Sequence, residues 1–521
     1  MNHTEETIST SPATGEILGR VPVHTLQDLD QCLARARAAQ PGWNALPVKQ
    51  RARVILRVRD YLVEHAEELA ATISRENGKT GTDALATEVM PAAFAVTYYA
   101  RHAKRFLRPQ RLRPSSLLLS NKVSWTRRVP WGVVGIISPW NYPFGIPFSE
   151  VIMALLAGNA VILKVASQTP LVGQALAACL HAAGLPEGVF SLLNMPGPVI
   201  GKAMLEAGID KLFFTGSVTA GKQLMAHAAE TLTPLGLELG GNDPMLVCPD
   251  ADLHRAANGA VWAGLSNCGQ SCAGVERIYV HSQVYDDFLA LLAARVEALR
   301  IGVDTASDVD LGAMTTERQV TTVRAHLDDA LAKGAKIYAQ SKSPLPSSGR
   351  FLPAMVLTDV NHTMRVMREE TFGPVLAVMK VDDMDQAVTL ANDSTLGLTA
   401  SVWSRHTRAA VQLASRLQAG TVMINDHLMS HGLPETPWGG FKQSGLGRTH
   451  GELGFAEMTQ PQCLVYDRLA WLKKNLWWYP NGPEVYAALR GMLDFQYARS
   501  LSRRLHGLGD LLRAFGRVFR P

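Results

Sequence analysis

Hydrophobic positions recur at helical spacing in the first part of the chain. The segments Gln27–Ala39 and Lys49–Asn77 place apolar side chains three and four positions apart, as at Val54, Val58 and Leu62. Spacing of this kind puts apolar side chains on one face of a helix. We therefore predict two amphipathic helices here.

Short apolar runs follow from residue 132 onwards, with helical stretches between them. This alternation is typical of a parallel, doubly wound α/β sheet, in which ligands bind at the carboxyl ends of the strands. The predicted strands of this sheet are Gly132–Ile137, Ala160–Lys164, Val189–Leu193 and Lys211–Phe214.

The pattern repeats after Glu238 and predicts a second α/β unit. In addition, the segment Leu117–Val129 reads as two short strand-like runs joined by a turn. A chain of 521 residues exceeds the size at which one core usually divides into domains. The predicted strands of the second unit are Pro244–Val247, Arg277–Val280, Val375–Met379, Ala400–Trp403 and Gly420–Ile424.

Charge is distributed unevenly along the chain. The hydrophobic content of 47% and the charged content of 19% are those of an ordered globular protein. The net charge is +5, but the segment from Pro461 onwards holds ten Lys and Arg against four Asp and Glu. The rest of the chain is therefore close to neutral, and nucleic acid is not a predicted partner.

The six cysteines show neither a paired framework nor a C-x-x-C motif. Cys268 and Cys272 are four positions apart but lack nearby His or Asp ligands, so no metal site is predicted. Together with the absence of a signal peptide or an apolar stretch long enough to span a bilayer, this favours a cytoplasmic location.

Two polar residues follow predicted strands and are candidates for ligand binding. Asn141 lies in the string Pro-Trp-Asn-Tyr-Pro, where its amide can donate to a developing oxyanion. An Asn that simply forms the turn is the alternative. Lys164 ends a strand, so its ammonium either meets a ribose hydroxyl or phosphate or is solvated.

A third strand leads into Thr-Gly-Ser at the start of a helix. Gly216 permits a tight turn, Ser217 can cap the helix, and amides at a helix N-terminus attract phosphate. Gly221 follows in the same helix. The string is not G-x-G-x-x-G, and taken alone it is an ordinary strand–helix turn.

A carboxylate and a thiol stand in glycine-rich surroundings. Glu238 is flanked by apolar residues and glycines, so burial is expected to raise its pKa towards that of a general base. A structural salt bridge is the alternative. Cys272 lies between Gly269 and Gly274, which let the backbone approach a substrate closely.

Taken together, these strings resemble the aldehyde dehydrogenase superfamily, specifically its NAD(P)-dependent, non-acylating members. The resemblance runs in the family's order from the N-terminal region to about Gln462. The strings that carry it are Pro139–Pro143, Phe214–Gly221, Asn267–Cys272, Glu370–Pro374 and Trp438–Arg448.

The resemblance implies roles for individual residues. Cys272 would be the nucleophile and Glu238 the base that activates water, while the Asn141 amide and the Cys272 N–H would form the oxyanion hole. Glu370 would hold the nicotinamide ribose, and Phe372 would flank the ring. The full set of expected NAD or NADP contacts is Trp140, Lys164, Ser167, Gly216, Ser217, Gly221, Glu370 and Phe372.

Two positions depart from the family's pattern. The family usually has Lys-Pro-small-Glu where this chain has Lys164-Val-Ala-Ser167. Without the carboxylate, the 2′-phosphate of NADP is no longer repelled, so acceptance of NADP is favoured. Thr449 follows Arg448 where the family commonly has an acid, which argues against a proton relay through that position.

The fold implied by the resemblance has four parts. Residues 1–113 and 131–239 would form the cofactor-binding domain, and residues 240–445 the catalytic domain. A small β-strand oligomerisation arm, 114–130 with 459–467, would build a homodimer or homotetramer. The basic, aromatic extension 468–521 would either pack against a subunit and gate the active site or contact a membrane surface.

Two other functions compete with oxidation of an aldehyde to its acid. A CoA-acylating or semialdehyde dehydrogenase is disfavoured by Glu238, because acylating relatives typically lack this hydrolytic base. A catalytically dead structural or membrane-surface relative is disfavoured by the complete set of Asn141, Glu238 and Cys272. The sequence leaves open which aldehyde is the substrate.

Overall fold

The computed structural model describes residues 5–520, which form two compact units. The first unit contains the chain up to Leu107 together with Pro130–Gln460, and the second contains Arg108–Val129 and the chain from Pro461 onwards. Residues 1–4, part of the segment used to predict that no signal peptide is present, lie outside the described residues.

Helices occur throughout both units. A π-helical turn, Leu85–Val89, joins α4 to α5. The α-helices are α1 (Leu26–Ala45), α2 (Val48–Glu64), α3 (Ala66–Asn77), α4 (Gly81–Ala84), α5 (Met90–Phe106), α6 (Gly145–Ala157), α7 (Pro170–Ala182), α8 (Gly197–Glu206), α9 (Val218–Thr231), α10 (Leu253–Leu265), α11 (Tyr285–Glu297), α12 (Glu317–Ala332), α13 (Met384–Asn392), α14 (Thr407–Ala414), α15 (Gly451–Glu457), α16 (Pro483–Tyr497) and α17 (Leu501–Phe515).

Strands alternate with these helices over most of the chain. They are β1 (Glu6–Thr10), β2 (Ile17–Pro22), β3 (Gln110–Leu112), β4 (Lys122–Pro130), β5 (Val133–Ile137), β6 (Ala160–Lys164), β7 (Phe190–Leu193), β8 (Lys211–Thr215), β9 (Leu235–Glu238), β10 (Asp243–Val247), β11 (Val275–His281), β12 (Lys336–Gln340), β13 (Met355–Thr358), β14 (Val375–Val381), β15 (Leu396–Gly397), β16 (Thr399–Trp403), β17 (Thr421–Ile424), β18 (Phe441–Lys442), β19 (Gly445–Leu446) and β20 (Thr459–Asp467).

The first unit contains a six-stranded sheet in the order β19-β9-β8-β5-β6-β7. The strands from β9 to β7 run parallel, and only β19 pairs antiparallel with its neighbour. Alternate residues of β5 enter two different cores. Val134 and Ile136 pack with α5 and α6, whereas Val133 and Ile137 pack with α1 and α8. Helices thus cover both faces, which confirms the predicted doubly wound sheet.

A second sheet of seven strands also belongs to the first unit. Its order is β12-β13-β14-β11-β10-β16-β17, with all pairs parallel except β12 with β13. The five strands predicted for a second α/β unit all belong to it. The hairpin β1–β2 and the strand β12 had no counterpart in the sequence prediction, because their mixed polar and apolar residues give no continuous apolar run. The short buried strand β13 was also missed.

The predicted helix Lys49–Asn77 is two helices in the structure. His65 leaves the helical conformation, with φ −108° and ψ 20°, and separates α2 from α3. Its ring nitrogen Nδ1 lies 2.9 Å from the Tyr61 carbonyl oxygen, and its ring stacks on that of Tyr61. Both helices keep one apolar face against the same core, which is why the sequence pattern continues across the break.

The second unit holds a three-stranded sheet in the order β20-β4-β3, followed by the hairpin of α16 and α17. The first of the two strand-like runs predicted in Leu117–Val129 was wrong, because residues 117–119 form a 3₁₀ turn. β4 pairs antiparallel with β3, a strand that precedes this 3₁₀ turn in the chain. No helix among residues 5–520 is long and apolar enough to cross a membrane.

Candidate active site

The predicted site residues of the first sheet lie at one edge of it. Lys164 ends β6 and pairs with Ile137, the last residue of β5. Glu238 ends β9, beside Thr215 at the end of β8. Because these strands are parallel, their carboxyl ends meet at the same edge, and Trp140, Asn141, Gly216 and Ser217 follow directly from it.

The backbone around Cys272 is unusually close to its neighbours. Asn267 and Cys268 have left-handed φ values of 53° and 56°, which non-glycine residues rarely adopt. A Cβ on Gly269 would lie 2.1 Å from the Gly373 carbonyl oxygen, and one on Gly241 would lie 2.0 Å from that of Cys272. The glycines therefore allow the loop to fold tightly, and they hold the half-buried Cys272 thiol in a fixed position.

Asn141 is tied to this loop through its side chain. Its Nδ2 donates to the Gln270 carbonyl oxygen at 2.9 Å. Its own carbonyl oxygen accepts bonds from Lys79 Nζ and Asn267 Nδ2, both at 2.9 Å. Lys79 and Asn267 were not predicted as site residues, and they anchor the segment that carries Asn141.

An open pocket, here called the Cys272 cavity, contains about 340 Å³ of empty space. It brings together two of the three predicted catalytic residues, Cys272 and Glu238. Thr449, which takes the place of an acid in the family's pattern, also lines it. The complete lining is Ile146, Glu150, Thr215, Glu238, Leu239, Cys272, Leu398, His431, Trp438, Thr449 and His450.

Glu238 is buried at the wall of this cavity. Burial raises its pKa well above the usual value, and Glu150 and Glu457 add to the rise while Arg448 opposes it. Its Oε2 has no hydrogen-bond partner among the residues the structure describes. A buried carboxyl group with a raised pKa and a free oxygen facing a cavity is suited to accept a proton there.

The Cys272 thiol is surrounded by acids. Burial raises its pKa well above the usual value, and Glu370, Asp243 and Glu238 add to the rise. The thiol is therefore protonated at neutral pH, and a nearby base must remove its proton before it can attack.

Glu150 is a second buried carboxyl group in the Cys272 cavity and was missed by sequence reasoning. It lies on α6, whose thirteen residues are all buried. Burial raises its pKa to about 8, and its Oε2 has no hydrogen-bond partner within residues 5–520. The available signal was a single acid in the apolar string Gly-Ile-Pro-Phe-Ser-Glu-Val-Ile-Met.

Two histidines of the cavity wall were also missed. The rings of His431 and His450 are 4.7 Å apart. Burial lowers the pKa of His431 to about 4 and that of His450 well below its usual value, so both are neutral. They are shared with an adjoining cavity of about 260 Å³ whose lining is Thr87, Pro91, Ala95, Tyr99, Gly145, Ser149, His431, Gly432, Pro434 and His450.

The predicted cofactor contacts form two groups. In the first, Lys164 is buried, burial lowers its pKa to about 8, and Ser167 is half-buried three positions on. Ser217 caps α9 by accepting a hydrogen bond from Ala220 N at 3.3 Å. Gly221, in the next turn, has no room for a Cβ, which would lie 2.8 Å from Leu239.

The second group lies near Gly241. The Trp140 and Phe372 rings meet edge to face with centroids 5.6 Å apart. Glu370 accepts a hydrogen bond from Gly241 N at 3.0 Å, and burial, with Glu276 and Asp243, raises its pKa well above the usual value. Among residues 5–520, no cluster of three or more His, Cys, Asp and Glu is placed to hold a metal ion.

Known proteins match the chain over most of its length. The family model described as "Aldehyde dehydrogenase family" matches residues 1–464. The chain is 39% identical over 506 residues to 4,4'-diapolycopene aldehyde oxidase of Methylomonas sp, covering 97% of this chain and 94% of that protein. It is also 39% identical over 457 residues to a Mycolicibacterium smegmatis protein named "Putative succinate-semialdehyde dehydrogenase", covering 88% of each.

A solved structure gives the same result for the fold. The NAD+ complex of aldehyde dehydrogenase from Bacillus cereus superposes with a TM-score of 0.84 at 32% sequence identity, covering 89% of this chain and 93% of that one.

Proposed function

Because this chain belongs to the aldehyde dehydrogenase family, we propose that Cys272, Glu238 and Asn141 oxidise an aldehyde to its carboxylic acid in the Cys272 cavity. The observation that carries the assignment is that Cys272 and Glu238 line one cavity, with Oε2 of Glu238 unbonded. Splitting the oxidation into addition, hydride loss and hydrolysis lowers each barrier.

In the first step the Cys272 sulfur forms a bond to the aldehyde carbon. The thiol proton passes to a carboxylate of the cavity, and the carbonyl π electrons move to oxygen. One hydrogen of the Asn141 amide is engaged by the Gln270 carbonyl. The other, with the Cys272 N–H, donates to the developing oxyanion.

When bound, NAD or NADP supplies the nicotinamide carbon that accepts the hydride of the tetrahedral adduct. Loss of that hydride leaves a thioester on Cys272. Glu238 then accepts a proton from water as the water oxygen attacks the thioester carbon. The Cys272 sulfur leaves, and the acid is released.

The residues of the first sheet fit a dinucleotide. Lys164 is in none of the ion pairs formed among residues 5–520, so its ammonium is available to a ribose or phosphate. The N-terminus of the fourteen-residue α9 follows Gly216 and offers amides to phosphate. Ser167 brings no negative charge, which supports use of NADP as well as NAD.

The second unit supports assembly of two or four copies. β20 lies at an edge of its sheet and is exposed along most of its length. Leu464, Val465 and Tyr466 are 45%, 59% and 52% exposed. An apolar edge strand of this kind is stabilised by pairing with a strand of a second copy. Light scattering after size exclusion measures the number of copies.

The hairpin of α16 and α17 supports contact with a membrane surface. The two helices meet at glycines: a Cβ on Gly491 would lie 2.5 Å from the Gly507 carbonyl oxygen. The large apolar side chains of α17 therefore lie on the outer surface of the hairpin, where Leu501, Leu505 and Leu512 are at least 60% exposed. Exposed Trp and Tyr side chains and a basic excess, ten Lys and Arg against four acids from Pro461 onwards, complete an interfacial surface.

The comparisons add support for an apolar substrate held near a membrane. The family match ends at residue 464. By contrast, 506 of 521 residues align with 4,4'-diapolycopene aldehyde oxidase, so that alignment reaches into the hairpin. We therefore place an extended apolar aldehyde as the substrate, delivered from a lipid surface.

Trapping of the covalent intermediate tests the catalytic assignment. The protein is mixed with an aldehyde and NAD or NADP, quenched in acid, and digested for mass spectrometry. We expect an acyl group on Cys272 and none on Cys268, which lies in the same peptide and is fully buried. Acylation elsewhere, or free acid without an acylated Cys272, contradicts the assignment.

A further inference from the structure

The described lining of the Cys272 cavity contains carboxyl groups but no cationic side chain. Its lining includes Glu150 and Glu238 but no Lys or Arg. Its two histidines are neutral because burial lowers the pKa of both. The adjoining cavity is lined by neutral residues alone. A substrate that extends from Cys272 into these cavities therefore meets no cation in their described lining.

The cations nearest the site are already engaged. Lys79 Nζ lies 2.7 Å from Glu88 Oε1 and 4.0 Å from the centre of the Tyr142 ring. The Arg448 guanidinium donates to the carbonyl oxygens of Gly440 and Gly447. Lys79 cannot turn to a substrate without leaving the buried Glu88 unpaired. Neither Lys79 nor Arg448 is among the residues that line the two cavities.

We infer that the active site selects aldehydes that carry no negative charge, and that it discriminates against ω-carboxy aldehydes such as 4-oxobutanoate, which is succinate semialdehyde. A carboxylate moved from water into a cavity with acids and without a cation loses its hydration and gains no ionic partner. An uncharged chain of the same length loses little. The inference rests on the proposed function of Cys272 and Glu238.

Glu150 is the residue that sets the strength of this selection. It faces the cavity with one oxygen unbonded, while Glu238 acts in the reaction itself. The titratable groups that line the Cys272 cavity with it are Glu238 on β9, the Cys272 thiol, and the neutral His431 and His450. As pH rises through about 8, Glu150 becomes an anion and its repulsion of a substrate carboxylate grows.

The test compares 4-oxobutanoate with its methyl ester, which has the same aldehyde and chain but no charge. The quantity measured is the ratio of kcat/KM for ester to that for acid, from NAD(P)H absorbance. This ratio is insensitive to ionisations of the free enzyme that affect both substrates equally. The ratio is also independent of the rate of deacylation, because hydride transfer precedes that step. We expect the ester to be favoured by about 100-fold at pH 7, and by more at pH 9.

Glu150→Gln keeps the shape of the side chain and removes its charge. We expect it to lower the ratio at pH 9 by about tenfold and to change it much less at pH 6.5. Glu452→Gln is the matched control, because Glu452 is exposed on α15 and lines neither cavity. That variant should keep the wild-type ratio at both pH values.

Equal use of the acid and the ester by the wild-type protein overturns the inference, whatever the variants do. So does a Glu150→Gln ratio that keeps its wild-type rise with pH. A protein that oxidises no aldehyde at all contradicts the proposed function instead, which distinguishes the two failures.

Discussion

At the scale of single residues, the proposed mechanism relies on acidic groups that are buried. Cys272, Glu238 and Glu150 share one cavity, and burial raises the pKa of all three. Their protonated forms are therefore favoured, so a proton that leaves one of them has a carboxyl group of the same cavity as a possible acceptor. The role proposed for each residue can be tested by a substitution that removes its thiol or acid group and changes its shape little.

Cys272→Ala is expected to lower aldehyde oxidation by about 1000-fold or more, because no covalent intermediate can form. Binding of NAD or NADP, followed by protein fluorescence, should stay within about threefold of wild type. Cys268→Ala is the control, since the Cys268 thiol donates to the Gly312 carbonyl oxygen and is not among the residues that line the Cys272 cavity. Turnover in the first variant close to that of the second would exclude the mechanism.

Glu238→Gln is expected to release one equivalent of NAD(P)H rapidly and then to slow by about 100-fold, because hydride transfer precedes hydrolysis. Rapid mixing with absorbance detection resolves the two phases. A steady state like that of the wild type, with no burst, would mean that another base activates water.

The pH dependence of the wild-type steady state follows from the same carboxyl group. Its pKa is raised, so at low pH Glu238 is protonated and cannot accept a proton from water. We expect kcat to rise with pH as the base form accumulates, and in Glu238→Gln this part of the rise should be absent. The check is a pH profile of both proteins measured at saturating aldehyde.

At the scale of elements, the residues expected to contact the cofactor lie at the carboxyl ends of the parallel strands. The segment from β6 to α7 contains Lys164 and Ser167 where the adenosine ribose is expected. Because a carboxylate is missing there, we expect the choice between NAD and NADP to depend on this connection.

Ser167→Glu is expected to lower kcat/KM for NADP by about tenfold relative to NAD, through repulsion of the 2′-phosphate. Gln168→Glu adds the same charge at the adjacent exposed position and should have a smaller effect. The measurement is kcat/KM for both cofactors in the three proteins. An unchanged ratio in Ser167→Glu would show that the ribose is recognised elsewhere.

Helices and strands were predictable from the sequence where burial alone determines the pattern of apolar residues. Buried parallel strands such as β5 and β6 are continuous apolar runs, and their ends were located within a residue or two. The break at His65 was not predictable, because it arises from a local ring contact that leaves the apolar pattern intact. β19 was not predictable either, because it has only two residues and forms by pairing with the edge of β9.

The same distinction applies to the site. Glycine-rich strings around Glu238 and Cys272 were visible because they are continuous in sequence. Glu150, His431 and His450 come from three separate segments, and only the fold places them around one cavity. Their burial, which fixes their charge, is a property of that arrangement and has no local signal.

At the scale of the whole molecule, the first unit contains the chemistry and the second contains the large exposed apolar surface. The second unit leaves much of its aromatic surface uncovered, since Trp471, Tyr479 and Tyr486 are 65%, 81% and 77% exposed. Such a surface has a favourable place at the boundary of a bilayer.

Leu505→Glu combined with Leu512→Glu is expected to abolish sedimentation with anionic vesicles at low salt, because it places charge in the apolar face. Oxidation of short aldehydes should be retained. Leu232→Glu is the control, since Leu232 is 86% exposed but lies in the first unit.

Truncation after Asp467 should have the same effect as the double variant on vesicle binding. If the full-length protein ignores vesicles, the hairpin instead covers or joins protein surfaces, and the truncation should then change assembly or access of large aldehydes.

The pairing of β19 with β9 links the catalytic base to a late part of the chain. Gly445 pairs with Glu238, and the backbone beside that glutamate is bonded at Leu239 and Gly240 by Ser444. During synthesis the strand ending in Glu238 leaves the ribosome long before its last neighbour exists. Until that neighbour arrives, one side of β9 has no paired strand. The surroundings of Glu238 are therefore completed only after the ribosome has added Leu446.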